Sequence, residues 1–404
     1  MVKRSFEIKA TGALFRKQAV SLTVLFLLIE FFDELAFGIL GAALPAIRTD
    51  LNLTYAQIGL MYGAANLVSA VVEPFMMLLG DTRLRKRLVI GGGVLIATAM
   101  LLKAGSPSFP ILLIAVILSY PASGAFVSLS QATLMDLNPG REPQMMARWT
   151  AAGSAGSLLG PLLVAGAFAL AIGWRWLFVG AAGLALILVL LISARAFPRP
   201  KHHTDSEDKE NIPELRILWE NLAYALRHRP LMRWMVLLEL SDLLQDVLAG
   251  YLTLYLTDSA GLSAAQASLI FGVYMTANLV ADIVAIPLLE RFSGRSVVRV
   301  TAAFSILVYA ALLLSPWILV KIALLVILPF TTAGWYAVLQ GEAYASIPGR
   351  SGTVMAVTSL AAMGLAALTT AIGWVAGQAG LPAAMWLLIL GPVSLVLLAP
   401  HPEK

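Results

Sequence analysis

The chain contains no cysteine and few charged residues for its length of 404. Without cysteine, a disulfide framework, a thiolate metal site and a cysteine nucleophile are all excluded. Charged residues make up only 13% of the chain and hydrophobic residues 59%, which is too apolar for a soluble globular domain. The composition therefore indicates an integral membrane protein.

Other scarce or missing features narrow the function. The four histidines lie outside the predicted helix cores, so we expect no zinc or copper site. The sequence carries no phosphate-binding loop and no nucleophile motif, so we expect neither an enzyme nor direct use of ATP. We expect no cofactor beyond a proton gradient, and the net charge of +5 lies in loops and does not indicate a nucleic-acid partner.

The apolar residues fall into twelve runs, each long enough to cross a bilayer as a helix. A polar segment from about 197 to 230 separates the first six runs from the last six. We therefore predict a six-helix bundle over 1–198, a cytoplasmic linker with a short amphipathic helix over 199–229, and a second six-helix bundle over 230–404. The runs lie at about 21–46, 56–79, 87–104, 110–135, 147–171, 177–196, 231–257, 265–289, 298–316, 319–345, 352–373 and 382–399.

Lysine and arginine are distributed unevenly between the two sides of this arrangement. Of the 28, 24 fall on the side that holds both termini and the linker. Because basic loops stay in the cytoplasm, we predict cytoplasmic termini in a multi-pass protein of the inner membrane. We expect a monomer whose partners are the lipid bilayer, protons and a small-molecule or cation substrate. The four basic residues on the opposite side are Arg48, Lys103, Arg175 and Lys321.

The second half repeats the first at a fixed offset of 209 residues. Glu30 corresponds to Glu239, and Asp33 corresponds to Asp242. The repeat predicts an all-α membrane protein with two pseudo-symmetric six-helix bundles and a cavity between them, lined first by runs one and seven. The same offset pairs Gln57 with Gln266, Gly63 with Gly272, Glu73 with Asp282, Asp81 with Glu290, Gln131 with Gln340, and Pro139, Gly140 and Arg141 with Pro348, Gly349 and Arg350.

Carboxylates are concentrated in these two runs. Glu30, Asp33 and Glu34 share one helical face, because their spacings are i+3 and i+4. A charge at the bilayer centre costs at least about 2.5 kcal/mol, so such acids mark functional sites. Run seven presents a second stripe, since Glu239, Asp242 and Asp246 lie at i, i+3 and i+7.

The membrane interior holds nine predicted acids and no clearly placed lysine or arginine. The acids cannot all be ionised in a low-dielectric cavity, so we expect them to hold protons or to recruit cations. Aromatic side chains beside them suit organic cations. The nine are Glu30, Asp33, Glu34, Glu73, Glu239, Asp242, Asp246, Asp282 and Glu342, and the further residues expected at the cavity are Tyr120, Gln131, Trp335 and Gln340.

Four motifs resemble those of the major facilitator superfamily of transporters. GDTRLRKR (80–87) is similar to the family's cytoplasmic loop motif, and PLLERFSGR (287–295) stands at the corresponding place in the second half. GSAGSLLGPLLVAG (153–166) is similar to the glycine-rich antiporter motif of helix five, and GWRW (173–176) to the turn that follows it in drug/proton antiporters. The resemblance covers the whole chain and implies a twelve-helix transporter.

The resemblance also implies roles for residues outside the cavity. The loop motifs either form a cytoplasmic latch or simply reflect the topology that keeps basic residues inside. Glu73 and Asp282 are as well placed for gating as for substrate contact. Gly156, Gly160 and Pro161 are expected to let helices pack closely. The loop residues concerned are Asp81, Arg83, Arg85, Lys86, Glu290, Arg291 and Arg295.

The chain departs from the family pattern at two places. Met77 stands where the first loop motif begins with glycine. Tyr120 stands four residues before Gly124, where many proton-coupled exporters have arginine. We therefore expect the carboxylates of runs one and seven to carry any coupling.

Three functions agree with this sequence. The first is secondary active transport by alternating access, with proton-coupled export of an amphipathic or cationic compound. The second keeps the fold but transports manganese, calcium or iron(II), because clustered carboxylates without cysteine or histidine suit hard cations. In that case Glu30, Asp33, Glu239 and Asp242 would be the ligands. The third is a membrane sensor or a membrane-embedded enzyme that uses the acids as general acid and base.

Overall fold

The structure, a computed structural model, describes residues 2–53, 55–195, 197, 215–262 and 264–400, and the described residues form helices joined by short turns and loops. The first half contains α1 (Val2–Leu51), α2 (Tyr55–Leu79), α3 (Arg85–Ala104), α4 (Phe109–Ser123), α5 (Leu129–Leu137), α6 (Glu142–Ala169) and α7 (Trp174–Ser193). The second half contains α8 (Leu215–Arg227), α9 (Arg229–Asp242), α10 (Leu248–Leu254), α11 (Ala264–Arg291), α12 (Gly294–Leu314), α13 (Ile318–Thr332), α14 (Trp335–Ser346), α15 (Ser351–Ala379), α16 (Leu381–Leu387) and α17 (Leu390–Leu398).

The helices reproduce the twelve apolar runs. Within the described ranges, nine helical stretches are long and apolar enough to cross a bilayer, and α1, α9–α10 and α15 supply the other predicted runs. Large apolar side chains point outward from these helices, among them Leu307 and Leu319, which are 67% and 78% exposed. Such exposure suits contact with lipid tails, and the backbone polar groups in the interior of a helix are satisfied by the helix itself. The structure therefore confirms the all-α membrane fold.

The repeated Pro-Gly-Arg turn has the same backbone in both halves. Gly140 has a φ of +79° and Gly349 a φ of +78°. This left-handed conformation is accessible to glycine without the steric penalty that a Cβ brings. Each turn ends one helix and leads into the next, α6 after Gly140 and α15 after Gly349. The offset of 209 found in sequence therefore corresponds to a repeated local structure.

Two of the apolar runs are interrupted by π-helical turns. Gly124–Ser128 joins α4 to α5, Leu243–Val247 joins α9 to α10, and Tyr255–Ser259 follows α10. At the point that corresponds to Gly124–Ser128 in the second half, α13 ends and α14 begins. Single π turns inside α-helices are frequent at functional sites because they re-aim the side chains around them.

The chain forms two compact units. Unit 1 comprises Met1–Pro139, Ala155–Glu220 and Gly349–Ala356, and unit 2 comprises Gly140–Ser154, Asn221–Pro348 and Val357–Lys404. Each unit therefore contains most of one sequence repeat and the first residues of the fifth helix of the other. The predicted domain limits at 198 and 230 stay a prediction.

The predicted linker is described only in its second part. Residues 198–214 lie outside the described ranges, whereas α8 occupies the place predicted for the amphipathic helix. Trp219 of α8 is 54% exposed, and its ring packs edge-on against Phe75 of α2 with 6.0 Å between ring centroids. An exposed tryptophan on a helix with one apolar face is typical of the membrane interface.

Candidate functional site

Asp33 lies at the centre of the candidate site in unit 1. Its side chain is only 8% exposed, whereas Glu30 and Glu34 on the same helical face are partly exposed. The hydroxyl of Ser123, at the end of α4, donates a hydrogen bond of 2.8 Å to Oδ2 of Asp33. Within the described part of the chain, Oδ1 of Asp33 is buried and has no hydrogen-bond partner. One oxygen of this carboxyl group is therefore open to a proton.

Other polar groups close to Asp33 come from neighbouring helices. Ser157 of α6 donates a hydrogen bond to the carboxylate of Glu34. Ser69 donates to the carboxylate of Glu73, which lies so close to the π turn that a Cβ on Gly124 would be 2.8 Å from its Cγ. Glu34 and Glu73 both repel a negative charge on Asp33. The site therefore gathers three carboxyl groups from α1 and α2.

A small cavity of about 10 Å³ adjoins Asp33. Helices α1, α3 and α4 enclose it, and it has room for about one water molecule. The rings of Phe37 and Tyr120 meet edge to face at its wall, with 5.5 Å between centroids. Its lining residues are Asp33, Ala36, Phe37, Leu40, Ile96, Met100, Lys103, Ser119 and Tyr120.

Lys103 corrects one sequence prediction. We expected no lysine or arginine among the buried acids and placed Lys103 at the end of the third run, on the side away from the cytoplasm. In the structure it lies in the last turn of α3, is only 3% exposed, and lines the same cavity as Asp33. Its Nζ lies 5.8 Å from the centroid of the Phe178 ring. The ammonium and the carboxylate of Asp33 attract each other electrostatically.

The acidic stripe of α9 and α10 is partly described. Glu239 is half-buried, and within the described residues its Oε2 has no hydrogen-bond partner. Asp242 is the last residue of α9 and directly precedes the π turn Leu243–Val247. The side chain of Asp246 lies outside what the structure describes. Two acids of run seven therefore precede a helix irregularity and the third falls within it, as Glu73 lies beside one in unit 1.

Two residues predicted at the cavity have hydrogen-bond partners in unit 2. Glu342 accepts two hydrogen bonds of 2.8 Å from Arg295, so a fixed cation neutralises its charge. Trp335 is fully buried, and its Nε1 donates a 2.9 Å hydrogen bond to Thr301. The ion pair corrects the expectation that Glu342 has no fixed counter-ion, whereas the place of Trp335 at a cavity stays a prediction. The sequence does contain the partner, since Arg295 belongs to the second loop motif. It lies 47 residues from Glu342, however, so the sequence alone does not show that the two side chains meet.

The two repeated glutamines are buried. Gln131 on α5 is 4% exposed and Gln340 on α14 is 0% exposed. Gln340 donates a long hydrogen bond of 3.4 Å to Thr358 of α15. Each glutamine therefore lies among the packed helices of its own unit. Gln131 follows the irregular turn of the fourth run, and Gln340 follows the break in the tenth.

The first loop motif binds the beginning of α15. Asp81 accepts hydrogen bonds from the backbone N–H groups of Gly352 and Thr353, both 2.7 Å long, and from the Thr353 hydroxyl. A carboxylate at this place satisfies N–H groups that the helix leaves unpaired and interacts favourably with its dipole. Burial is the largest influence on the pKa of Asp81 and raises it, while Arg85 and the donors of α15 act in the opposite direction.

Arg85 connects this motif to α5. Its guanidinium donates to Asp81 at 3.1 Å and to the Ser351 hydroxyl at 2.9 Å, and it also pairs with Asp136. Ser351 in turn donates to Asp136 at 2.7 Å. Lys86 donates instead to the backbone oxygens at the end of α7, and Arg83 is exposed. Asp81 and Arg85 are thus the two members of the motif with buried partners.

The second loop motif has its own partners in unit 2. Glu290 pairs with Arg148 of α6 and lies 3.9 Å from Arg141. Asp282, eight residues earlier in sequence, accepts a hydrogen bond from Ser154 of α6. Arg291 is exposed in the last turn of α11. Both loop motifs therefore hold the beginning of a helix that follows a Pro-Gly-Arg turn.

The glycine-rich motif places α6 against α1. A Cβ added at Gly156 would lie 2.2 Å from the backbone oxygen of Phe31, and one at Gly160 would lie 2.8 Å from that of Leu35. The Pro161 ring lies beside Gly38 at the same crossing. The two helix backbones come so close that only glycine fits, and this contact fixes α1 on both sides of Asp33.

Replacing Gly156 by valine is expected to destabilise the protein by about 3 kcal/mol or more, because the new side chain meets backbone atoms that cannot move aside. The melting temperature in detergent measures the effect. Gly166 in the same helix has open space around its Cα, so Gly166→Val is the matched control and should change the melting temperature little. Equal losses in the two variants would show that the α1–α6 contact is looser than the structure has it.

Comparisons with known proteins come from sequence and from structure. A sequence model described as Major Facilitator Superfamily matches residues 26–371. The multidrug efflux pump SdrM of Staphylococcus aureus is 25% identical over 213 residues, which are 50% of this chain and 45% of that protein. The quinolone resistance protein NorA of Staphylococcus aureus is 25% identical over 193 residues, which are 47% of this chain and 49% of that protein. The chain thus spans about half the length of the curated relatives that it matches.

A solved structure extends the likeness to the whole fold. The fucose:proton symporter FucP of E. coli superposes with a TM-score of 0.76 at 16% sequence identity, over 95% of this chain and 98% of that one. At this identity the match concerns the fold alone. It agrees with the twelve-helix arrangement predicted from the repeat.

Proposed function

The chain belongs to the Major Facilitator Superfamily of membrane transporters, and we propose that it exports an amphipathic or cationic compound in exchange for protons. The observation that carries the proposal is the buried carboxyl group of Asp33, which has one oxygen without a hydrogen-bond partner among the described residues and lines a cavity inside a membrane-spanning unit. An ionisable group at such a place is expensive to keep unless it is used. The names of the relatives SdrM and NorA support export of drug-like compounds.

The coupling follows from competition for negative charge. A proton that enters from outside neutralises an acid of the site, and a cationic substrate then leaves more easily because less negative charge holds it. When the acid gives up its proton to the cytoplasm, the site regains affinity for the cation. Alternating access links the two events, so that the proton gradient drives export.

Aromatic side chains favour an organic cargo over a metal ion. Phe37 and Tyr120 lie beside the acidic stripe of α1, and the partly exposed ring of Phe37 suits contact with an organic cation that binds next to the small cavity and not inside it. Within the described residues, no three His, Cys, Asp or Glu side chains are grouped as a metal site would need. We therefore propose an organic cation as the cargo, and the transport experiment below includes divalent metals as the alternative.

The proposal also includes the orientation of the protein in the membrane. Both termini and the linker lie in the cytoplasm, and the protein acts in the cytoplasmic membrane as a monomer without a cofactor or a nucleic-acid partner. The proton gradient supplies the energy. The uneven distribution of lysine and arginine in the sequence supports this orientation.

Transport by purified protein in liposomes tests the proposal. A pH gradient is applied, and panels of organic cations and of divalent metals are added while a dye reports internal pH. We expect an organic cation to trigger proton movement in the wild type but not in the double variant Glu30→Gln with Asp242→Asn, which removes one acid from each stripe. The double variant Asp50→Asn with Glu220→Gln makes the same changes at exposed positions and should behave as the wild type.

The other outcomes have distinct meanings. A response to manganese or calcium alone would replace the organic cargo by a metal ion. Flux of a neutral or anionic solute that persists in the Glu30 and Asp242 double variant would show that the acids are structural and that the proposed coupling is wrong.

A further inference from the structure

Unit 1 encloses a buried lysine that the proposed exchange of substrate and proton does not yet use. Lys103 is 3% exposed, and Asp33, with which it lines one cavity, is 8% exposed. A lysine near a helix end ordinarily extends toward water. Lys103 instead keeps its ammonium inside the unit, 5.8 Å from the centroid of the Phe178 ring and at the cavity that Asp33 also lines, so that its attraction to the Asp33 carboxylate acts across this cavity.

We propose that Lys103 is the fixed counter-ion of Asp33, and that Asp33 therefore carries the coupled proton while other acids of α1 contact the cationic substrate. The inference rests on the proposed function and assigns separate tasks within it. A substrate cation that approached Asp33 would have to displace an ammonium that is tethered and already desolvated. A proton meets no such competitor, since it can add to Oδ1, which has no hydrogen-bond partner among the residues that the structure describes.

The neighbours of Asp33 explain why a single lysine matters. Glu34 on α1 and Glu73 on α2 repel its negative charge, Lys103 on α3 attracts it, and Ser123 of α4 donates a hydrogen bond to it. Tyr120 of α4 also lines this cavity and carries no positive charge. The positive charge at the cavity thus comes from α3 and not from α4.

The charge balance changes by one unit when the proton arrives. The carboxylate of Asp33 and the ammonium of Lys103 together carry no net charge. When a proton adds to the carboxylate, the O–H bond forms and the ammonium keeps its three protons, so the pair gains one positive charge. The Phe178 ring, 5.8 Å from Nζ, can hold the ammonium in that state. The added positive charge weakens the binding of a cation nearby, as exchange requires.

The second unit offers a contrasting lysine. Lys321 is 7% exposed and donates hydrogen bonds to the hydroxyl of Tyr255 at 2.7 Å and to the backbone oxygen of Leu312 at 2.8 Å. Leu312 is the residue that the offset of 209 pairs with Lys103. Both units therefore hold an ammonium near the same helix end, but Lys321 caps a carbonyl group, which is a structural task. It is the matched control for Lys103.

Chemical labelling of Asp33 tests the inference without substrate. Dicyclohexylcarbodiimide reacts with protonated carboxyl groups, and tandem mass spectrometry of the full-length protein in detergent locates the label as pH is varied. Because an adjacent cation favours the carboxylate, we expect Lys103→Met to raise the pH of half-labelling at Asp33 by about one to three units. Lys103→Arg should keep the wild-type value closely, and Lys321→Met should leave it unchanged.

The results separate this inference from the proposed function. No shift in Lys103→Met, or an equal shift in Lys321→Met, overturns the inference even if organic cations drive proton movement. A shift in Lys103→Met alone supports the pair, and it does so even if the wild-type protein moves no protons and the proposed function fails.

A second measurement, the melting temperature in detergent, applies if Lys103→Met is too unstable for labelling. Removing one partner leaves the other buried and unpaired, whereas removing both does not. We therefore expect Asp33→Asn to restore the melting temperature of Lys103→Met. Failure of the double variant to recover would contradict the pairing.

Discussion

Replacing Arg85 by methionine is expected to lower the free energy of unfolding by about 3 to 5 kcal/mol, as the loss of one partner from a buried ion pair does. Arg85 is 3% exposed and lies against two carboxylates, Asp81 and Asp136. Methionine fills a similar volume but supplies no hydrogen-bond donor. Both carboxylates would then lie close together without the cation that holds them.

The loss should reach α15 as well. Arg85 donates to Ser351, the first residue of α15, and Asp81 accepts from the next two backbone N–H groups. These contacts satisfy the open end of a long helix, and losing a helix cap alone costs about 1 kcal/mol. Hydrogen exchange at the first turn of α15 should therefore increase in Arg85→Met, in addition to the lower melting temperature in detergent.

Arg83→Met provides the control for both measurements. It removes the same charge from the same loop, but Arg83 is exposed. Exposed substitutions away from special contacts change stability by about 0.5 kcal/mol or less. If the two variants lost the same stability, the loop would act only through its net charge, and the network around Arg85 would have no role of its own.

The helices and the two repeated turns could be predicted from sequence, because apolar runs and turn residues are recognised within short segments of the chain. The apolar runs correspond to the helices, and the Pro-Gly-Arg repeat corresponds to two turns with nearly identical φ at Gly140 and Gly349. The π turns were not predicted. A stretch such as Gly124–Ser128 has the composition of an ordinary helix, and the close approach of Glu73 to Gly124 at its start is a contact between residues far apart in sequence.

The candidate site could be predicted only in part, because several of its contacts join residues that are far apart in sequence. The spacing of acids in α1 indicated a polar site, and the structure places Asp33 at a cavity. Lys103 was missed because a lysine at a helix end usually points to water, whereas the packing of α3 against α4 and α7 keeps this one buried. Glu342 was misassigned for a related reason. An acid inside an apolar run suggests a cavity until its partner, Arg295, is known.

Replacing Asp33 by asparagine is expected to abolish substrate-driven proton movement while leaving downhill flux of the substrate. Asparagine keeps the size of the side chain and can still accept the hydrogen bond from Ser123, but it cannot exchange a proton. Because no titrating group remains at this position, we expect the number of protons moved per substrate molecule to fall at least about tenfold. Dye-reported proton movement and tracer efflux, recorded in the same liposomes, measure the two fluxes.

Asp50→Asn is the control, because it makes the same change in the same helix. Asp50 lies at the end of α1, pairs with Arg175, and is 45% exposed. The hydrogen bond from Arg175 holds the pKa of Asp50 below its usual range, so this carboxylate stays ionised as the pH varies around neutrality. A group that does not titrate in that range cannot carry a coupled proton, and Asp50→Asn should therefore retain coupling. Coupling that survived in Asp33→Asn would assign the proton to another acid, and loss of both fluxes in Asp33→Asn would assign Asp33 to substrate binding.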